Sequence, residues 1–156
     1  MRTRSVTVDD LDLVCRHREE MFRASNAPGR TEDVLRSTTA AFRAWVEPRL
    51  NDGSYFGFIA EDRGAAIAGI GLMIIDWPPH PSHPLEDKRG YVLNVFVEPS
   101  HRKQGLGKML MELGETEIAR RGVSFAVLHA TRMGKPLYER LGWAGTSEMA
   151  KLLSLN

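Results

Sequence analysis

Residues Tyr91 to Val97, YVLNVFV, form an apolar run interrupted only by Asn94. A strand of this kind cannot leave a face to water, so it belongs at the centre of a sheet covered on both sides. Helices are therefore needed in two layers, and the flanking sequence supplies them. After a short strand from Thr3 to Val8, Asp9 and Asp10 offer an N-cap and favourable charge for a helix start. Leu11, Val14, Cys15, Arg18, Met21 and Phe22 then recur at helical spacing until Asn26-Ala27-Pro28-Gly29. Thr31 opens a second helix with Val34, Leu35, Thr38, Phe42, Trp45 and Val46 inward, expected to end near Pro48 before an Asn51-Asp52-Gly53 turn. Downstream, Leu106, Met109, Leu110 and Leu113 predict a helix from about Gly105 to Arg121.

The remaining segments complete a mixed α and β pattern. Tyr55 to Glu61 and Ala66 to Trp77 read as an antiparallel pair around Asp62-Arg63-Gly64. Val123 to His129 is a further strand, Pro136 opens a last helix through Leu141, Gly142 stops it, and Ser147 to Leu153 is expected to close the sheet. Between Trp77 and Pro84 lie four of the eight prolines, which predicts a stiff, exposed connector. His80 and His83 within it lack the cysteines or clustered carboxylates that would complete a ligand set, so no metal is expected.

Length and charge narrow the class. A chain of 156 residues with 42% hydrophobic side chains suits one folded domain over residues 1–156. Lys and Arg number 21 against 20 Asp and Glu, too even a balance for a surface that tracks nucleic acid. The lone Cys15 excludes an intramolecular disulfide, and no apolar stretch reaches the length of a membrane span. A cytoplasmic protein without membrane or nucleic-acid partners is the expectation.

The stretch Arg102-Lys103-Gln104-Gly105-Leu106-Gly107-Lys108 sits between the apolar strand and an amphipathic helix. Glycines there let backbone amides approach a ligand, and the first helical N–H groups point outward with the positive end of the dipole behind them, so a phosphate fits. A phosphate-binding loop of the Walker type fails, because Met109 follows Gly107-Lys108 where Ser or Thr is required. A dinucleotide fingerprint fails as well, since Leu110 replaces its third glycine.

The strand Val92 to Val97, the Arg102-x-x-Gly105-x-Gly107 loop and the later Leu137-Tyr138-Glu139-Arg140-Leu141-Gly142-Trp143 together resemble the GNAT N-acetyltransferase superfamily. The resemblance implies an α+β, three-layer fold with a mixed, mostly antiparallel sheet of six to seven strands, splayed between the fourth and fifth and flanked by about four helices. It implies acetyl-CoA in the resulting opening. Backbone groups of Val95 and Val97 would pair with the pantetheine arm, amides from Lys103, Gln104, Gly105, Leu106, Gly107 and Lys108 would hold the pyrophosphate beside Arg102, and Thr131 would touch the cofactor where many relatives carry Asn. Gly134 stands where Ala is common. Tyr138 matches the family's general acid, and the oxyanion donor would be a backbone N–H near Val95 to Val97.

An acetyl-CoA-dependent N-acetyltransferase acting on an amine-bearing small molecule or peptide by direct transfer follows from the resemblance, which also admits a homodimer. No carboxylate occupies the first half of the central strand, where several relatives carry Glu, so the general base stays open among Asn94, Glu98, Glu20, Asp76, His83 and His129. Phe22, Trp45 and Trp77 are either core or acceptor-pocket residues, and Cys15 reads as a small core hydrophobe. The missing carboxylate also motivates a second reading, a catalytically weak acyl-CoA sensor; a third is an interaction domain that binds no CoA.

Overall fold

The computed structural model describes residues 1–155. In chain order the elements are β1 (Arg2–Ser5), α1 (Leu11–Ser25), α2 (Glu32–Asp52), β2 (Tyr55–Asp62), β3 (Ala65–Asp76), β4 (Lys88–Val97), α3 (Leu106–Arg120), β5 (Ala126–Leu128) and α4 (Lys135–Arg140). The strands form one sheet in the order β1-β2-β3-β4-β5, antiparallel except for the parallel pair β4 and β5. A two-residue loop, Arg63-Gly64, joins β2 to β3 with both residues at positive φ (49° and 81°), the backbone that matches strand twist.

Period-two patterning along β3 assigns the layers. Gly69 and Gly71 lie beneath His17 of α1 and the Tyr55 ring, whereas Ile70 and Leu72 meet Gly114 of α3. Accordingly one cluster joins Leu11, Val14, Cys15, Phe42, Val46 and Leu50 to Tyr55 on the α1/α2 side. The larger cluster packs Leu106, Leu110, Met111 and Ile118 of α3 against Ala68, Ile70, Leu72 and Val92. Leu72, Leu110 and Met111 are fully buried, and side chains of that size each contribute roughly 1.5–3 kcal/mol.

Two irregularities in β4 shape the molecule. Gly71 pairs with Asn94 and Leu72 with Val92, so Leu93 is an extra residue, a β-bulge. Beyond it the strand keeps its β3 partner as far as Val97, yet β5 accompanies it only over Gly90 to Val92. From Leu93 onward the β5-facing edge is open, which is the expected splay between the fourth and fifth strands.

Several expectations need correction. The sheet has five strands, not six or seven, because Ser147 to Leu153 forms no strand. β5, three residues long, offers little edge to template another strand, and Met149, Leu152 and Leu153 find no apolar surface to hold them. β1 stops at Ser5 rather than Val8, because Asp10 gathers the following turn by accepting from Arg4 (2.8 Å) and from the Thr7 amide (2.9 Å). β5 is shorter than Val123 to His129, since Val123 turns into the α3 cluster. α2 passes through Pro48 to Asp52: buried Leu50 anchors the last turn, the Arg49 guanidinium donates to the Trp45 carbonyl (2.6 Å), and Gly53 (φ 78°) caps the end. Val34 and Trp45, placed inward by periodicity, are exposed. The proline-rich connector is pinned by a buried side chain: His83 is 1% exposed, accepts from Arg89 Nε (2.9 Å) and so carries its proton on Nδ1, toward the Glu86 carbonyl (3.0 Å). No helix of the described residues is long and apolar enough to cross a membrane.

His17 is buried against Phe96, and burial pushes its pKa from 6.5 down to about 4, Arg16 adding to the effect and Glu98 opposing it. The unfolded chain takes up this proton near pH 6.5 and the folded chain only near 4. Stability is therefore complete above 6.5 and drains as pH falls, by roughly 2 kcal/mol between pH 7 and 5. Asp10 and Glu61, held low by Arg4, and Glu117, held low by Arg120, lose their contributions as pH falls through the ordinary carboxylate values of 3.8 for Asp and 4.5 for Glu. Urea unfolding at pH 7 and 5 should show the drop in the wild type and little of it in His17→Gln; an equal drop in both excludes His17 as its source. Separately, a Cβ on Gly71 would stand 1.8 Å from the Tyr55 hydroxyl oxygen, so Gly71→Ala should cost about 1–3 kcal/mol in the same assay.

Candidate functional site

Between the open edge of β4 and the α3–α4 side lies a cleft of about 600 Å³. Val95, Val97, Arg102, Lys103, Gly105, Leu106, Gly107, Lys108, Thr131 and Tyr138 all line it. Gln104 does not: its side-chain amide turns back toward the Ser100 carbonyl at 3.5 Å. Met21, Met133, Leu137 and Arg140 join the lining without having been assigned to a site; for Met21 and Leu137, an apolar residue at helical spacing gives no sign of facing a cleft rather than a core.

The loop before α3 is shaped by its backbone. Lys103 and Gly105 have φ of 61° and 80°, the left-handed region, and with them the chain turns into the helix. Nothing lies within 4 Å of a Cβ built on Gly105, so glycine is required there by conformation and not by space. The first intrahelical bond at this end runs from Met109 N to Gly105 O (3.0 Å), which leaves the Leu106, Gly107 and Lys108 amides as orphan donors at the positive end of a 15-residue helix. Arg102 is steadied by donating from Nε to the Val97 carbonyl (3.1 Å). The arrangement is that of an anion site at the mouth of the cleft.

At the inner end, Met21, Val92, Leu93, Val95, Leu128, His129, Thr131 and Tyr138 converge. The Tyr138 ring lies over Gly134, 3.0 Å from where a Cβ would stand, so alanine there would press on it. Burial alone pushes the Tyr138 phenol above its usual value, keeping it protonated and able to donate at neutral pH. Thr131 shapes the turn that leads into α4: its hydroxyl oxygen accepts from Gly134 N (3.1 Å), and its carbonyl accepts from Lys135 N (3.0 Å).

The candidate bases are dispersed. Glu98 pairs with Arg16, Glu20 with Arg23, Asp76 with Lys88, and His83 lies under the proline-rich loop. His129 reaches the inner end, its ring 5.8 Å from that of Tyr91. Asn94 is buried, donating to the Tyr55 hydroxyl (2.7 Å) and accepting from Arg18 Nη1 (2.7 Å). Phe22 faces the Arg18 guanidinium, Trp45 stacks on Phe42, and Trp77 lies beside Arg89. Cys15 is buried, and desolvation raises its thiol pKa, which suits a packing role.

The fold is shared with known proteins. The model of the acetyltransferase (GNAT) family matches residues 16–143. A GCN5-related N-acetyltransferase from Ralstonia eutropha JMP134, known from its crystal structure, is 58% identical over 97% of each chain, with a TM-score of 0.93. A predicted acetyltransferase from Clostridium acetobutylicum, solved with acetyl-CoA, has the same fold at 21% identity, covering 97% of this chain and 95% of its own, with a TM-score of 0.85. A ribosomal-protein-alanine N-acetyltransferase from Brucella melitensis also shares the fold at 18% identity, over 99% of this chain and 100% of its own (TM-score 0.67). No curated protein matches the chain. With the family model spanning most of its length and a near relative of the same architecture, the chain belongs to the GNAT acetyltransferase family.

Proposed function

We propose that this protein is an acetyl-CoA-dependent N-acetyltransferase that passes the acetyl group directly to a primary amine of a small molecule or peptide. The observation that carries the reading is the open β5-facing edge of β4, which runs from the Leu93 bulge past Val95 and Val97 to the orphan amides that open α3. An extended pantetheine arm is a natural partner for such an edge. Its pyrophosphate suits the Leu106, Gly107 and Lys108 amides, with Arg102 and Lys103 adding charge. These residues would hold acetyl-CoA, which supplies an activated thioester carbonyl.

Within this reading the chain contributes three actions. The β4 edge orients the thioester toward the inner end, where backbone N–H groups near Val95 stabilise charge developing on the carbonyl oxygen. Met21, Leu93 and Leu128 line one part of that end, and Tyr138, Thr131 and His129 the rest. Tyr138, protonated at neutral pH, donates its phenolic proton to the departing thiolate. The sensor reading keeps a specific observation in its favour, since no Asp or Glu is among the described residues that line the cleft.

Calorimetric titration should show micromolar binding of acetyl-CoA and little response to ATP or NAD. Gly105→Val, which forces a β-branched residue to φ near 80° beside the anion site, should weaken acetyl-CoA at least tenfold in protein that still folds. Equal affinity in the two proteins would contradict the loop assignment. Tyr138→Phe should lower kcat by about 100-fold while the acetyl-CoA Kd stays within threefold. An unchanged rate and pH profile would remove Tyr138 from the mechanism, and acetyl-CoA binding without transfer to any amine would favour the sensor.

A further inference from the structure

Arg18 stands on the inward face of α1, three residues before Met21, which lines the inner end of the cleft. Its guanidinium lies 4.7 Å from the centres of both the Phe22 and Phe42 rings. Nη1 donates to the Asn94 side-chain oxygen, and the buried Nε has no partner. Burial lowers the pKa of this group, yet a guanidinium remains charged at any physiological pH. The result is a half-buried cation between two aromatic rings, bonded to a neutral amide.

The carboxylates of α1, and those of Glu32 and Glu98, are committed elsewhere. Asp12 pairs with Arg43, Glu98 with Arg16, and Glu19, Glu20 and Glu32 surround Arg23. A desolvated charge without a counter-ion is costly, and ring faces return only part of that cost. A carboxylate entering beside α1 would complete the site, since the planar guanidinium fork matches its two oxygens. Position sets the size of the guest. Asn94 adjoins Leu93 of the inner end, about 3.8 Å away along the backbone, and Met21 is one helical turn from Arg18, about 5 Å.

We infer that Arg18 binds a carboxylate of the acceptor, so that the acceptor is a small molecule carrying amine and carboxylate together, of amino-acid size. The inference rests on the acetyl-transfer reading given above. In it, Arg18 is a specificity-determining residue: it draws the acid to α1 while the amine reaches the thioester at the inner end.

The test measures thiol release from acetyl-CoA with L-α-amino acids, β-alanine and γ-aminobutyrate, each beside its own carboxamide. Wild-type protein should prefer at least one acid over its amide by about 10- to 100-fold in kcat/KM, chiefly through KM. Arg18→Gln should erase most of that preference, and Arg18→Lys, which keeps charge but loses the fork, should retain part of it. Circular dichroism and acetyl-CoA calorimetry on each variant report fold and donor binding. Equal use of acid and amide by the wild type overturns the inference. So does loss of both by the same factor in Arg18→Gln and Arg18→Lys, or acetyl-CoA binding without transfer to any carboxylate-bearing amine. Failure of the wild type to bind acetyl-CoA sinks the acetyl-transfer reading itself, and the inference with it.

Discussion

The site depends on β4 holding one partner and losing the other. Its hydrogen bonds to β3 continue to Val97, whereas β5 departs after Leu128 opposite Val92. Backbone groups beyond that point face a cleft instead of a strand, and unpaired groups in such a place demand a partner. The Leu93 bulge sits where the parting begins. It sends Asn94 into the α1/α2 layer while Val95 and Val97 pack toward α3, so one strand serves both the cleft and the region around Arg18.

Much of this was legible because it rests on local rules. An apolar run dictated a central strand, the Leu106 to Leu113 stripe dictated the helix that covers it, and glycines at the junction dictated an amide-lined turn. The bulge was not legible, since YVLNVFV has nearly the same character on either face and shows no break in period. Arg18 was visible as a charge within an apolar repeat, but its significance lies in pairings made by acids elsewhere in α1 and α2. Pro48 misled because its local penalty is real and tertiary burial of Leu50 outweighs it. Ser147 to Leu153 carries no Val, Ile, Thr or aromatic residue, and no sheet edge receives it as a strand.

Neutral acceptors hold guanidinium groups at two places in the structure. His83 holds the proline-rich loop through Arg89 and a carbonyl, and Asn94 links Tyr55 to Arg18. A polar group surrounded this way keeps its orientation because breaking one bond leaves a buried donor or acceptor stranded. The floor of α1 is thus fastened to the sheet at Tyr55 and Asn94, with Gly71 providing the hollow that admits the phenol.

The opposite wall is built differently. α4 is six residues long and buries none of them, while β4 is locked between β3 and two hydrophobic clusters. The α4 wall is held by Leu137 against Gly107, by Tyr138, Leu141 and Trp143 packed on the larger hydrophobic cluster, and by the Trp143 indole donating to Glu115 (2.8 Å). The cleft therefore has one wall locked within the sheet and one carried by a short helix whose side chains are only partly buried. Tyr138 stands on the second wall, so the position of its proton relative to the β4 edge is set by how α4 packs on the core cluster and not by the sheet's own ladder.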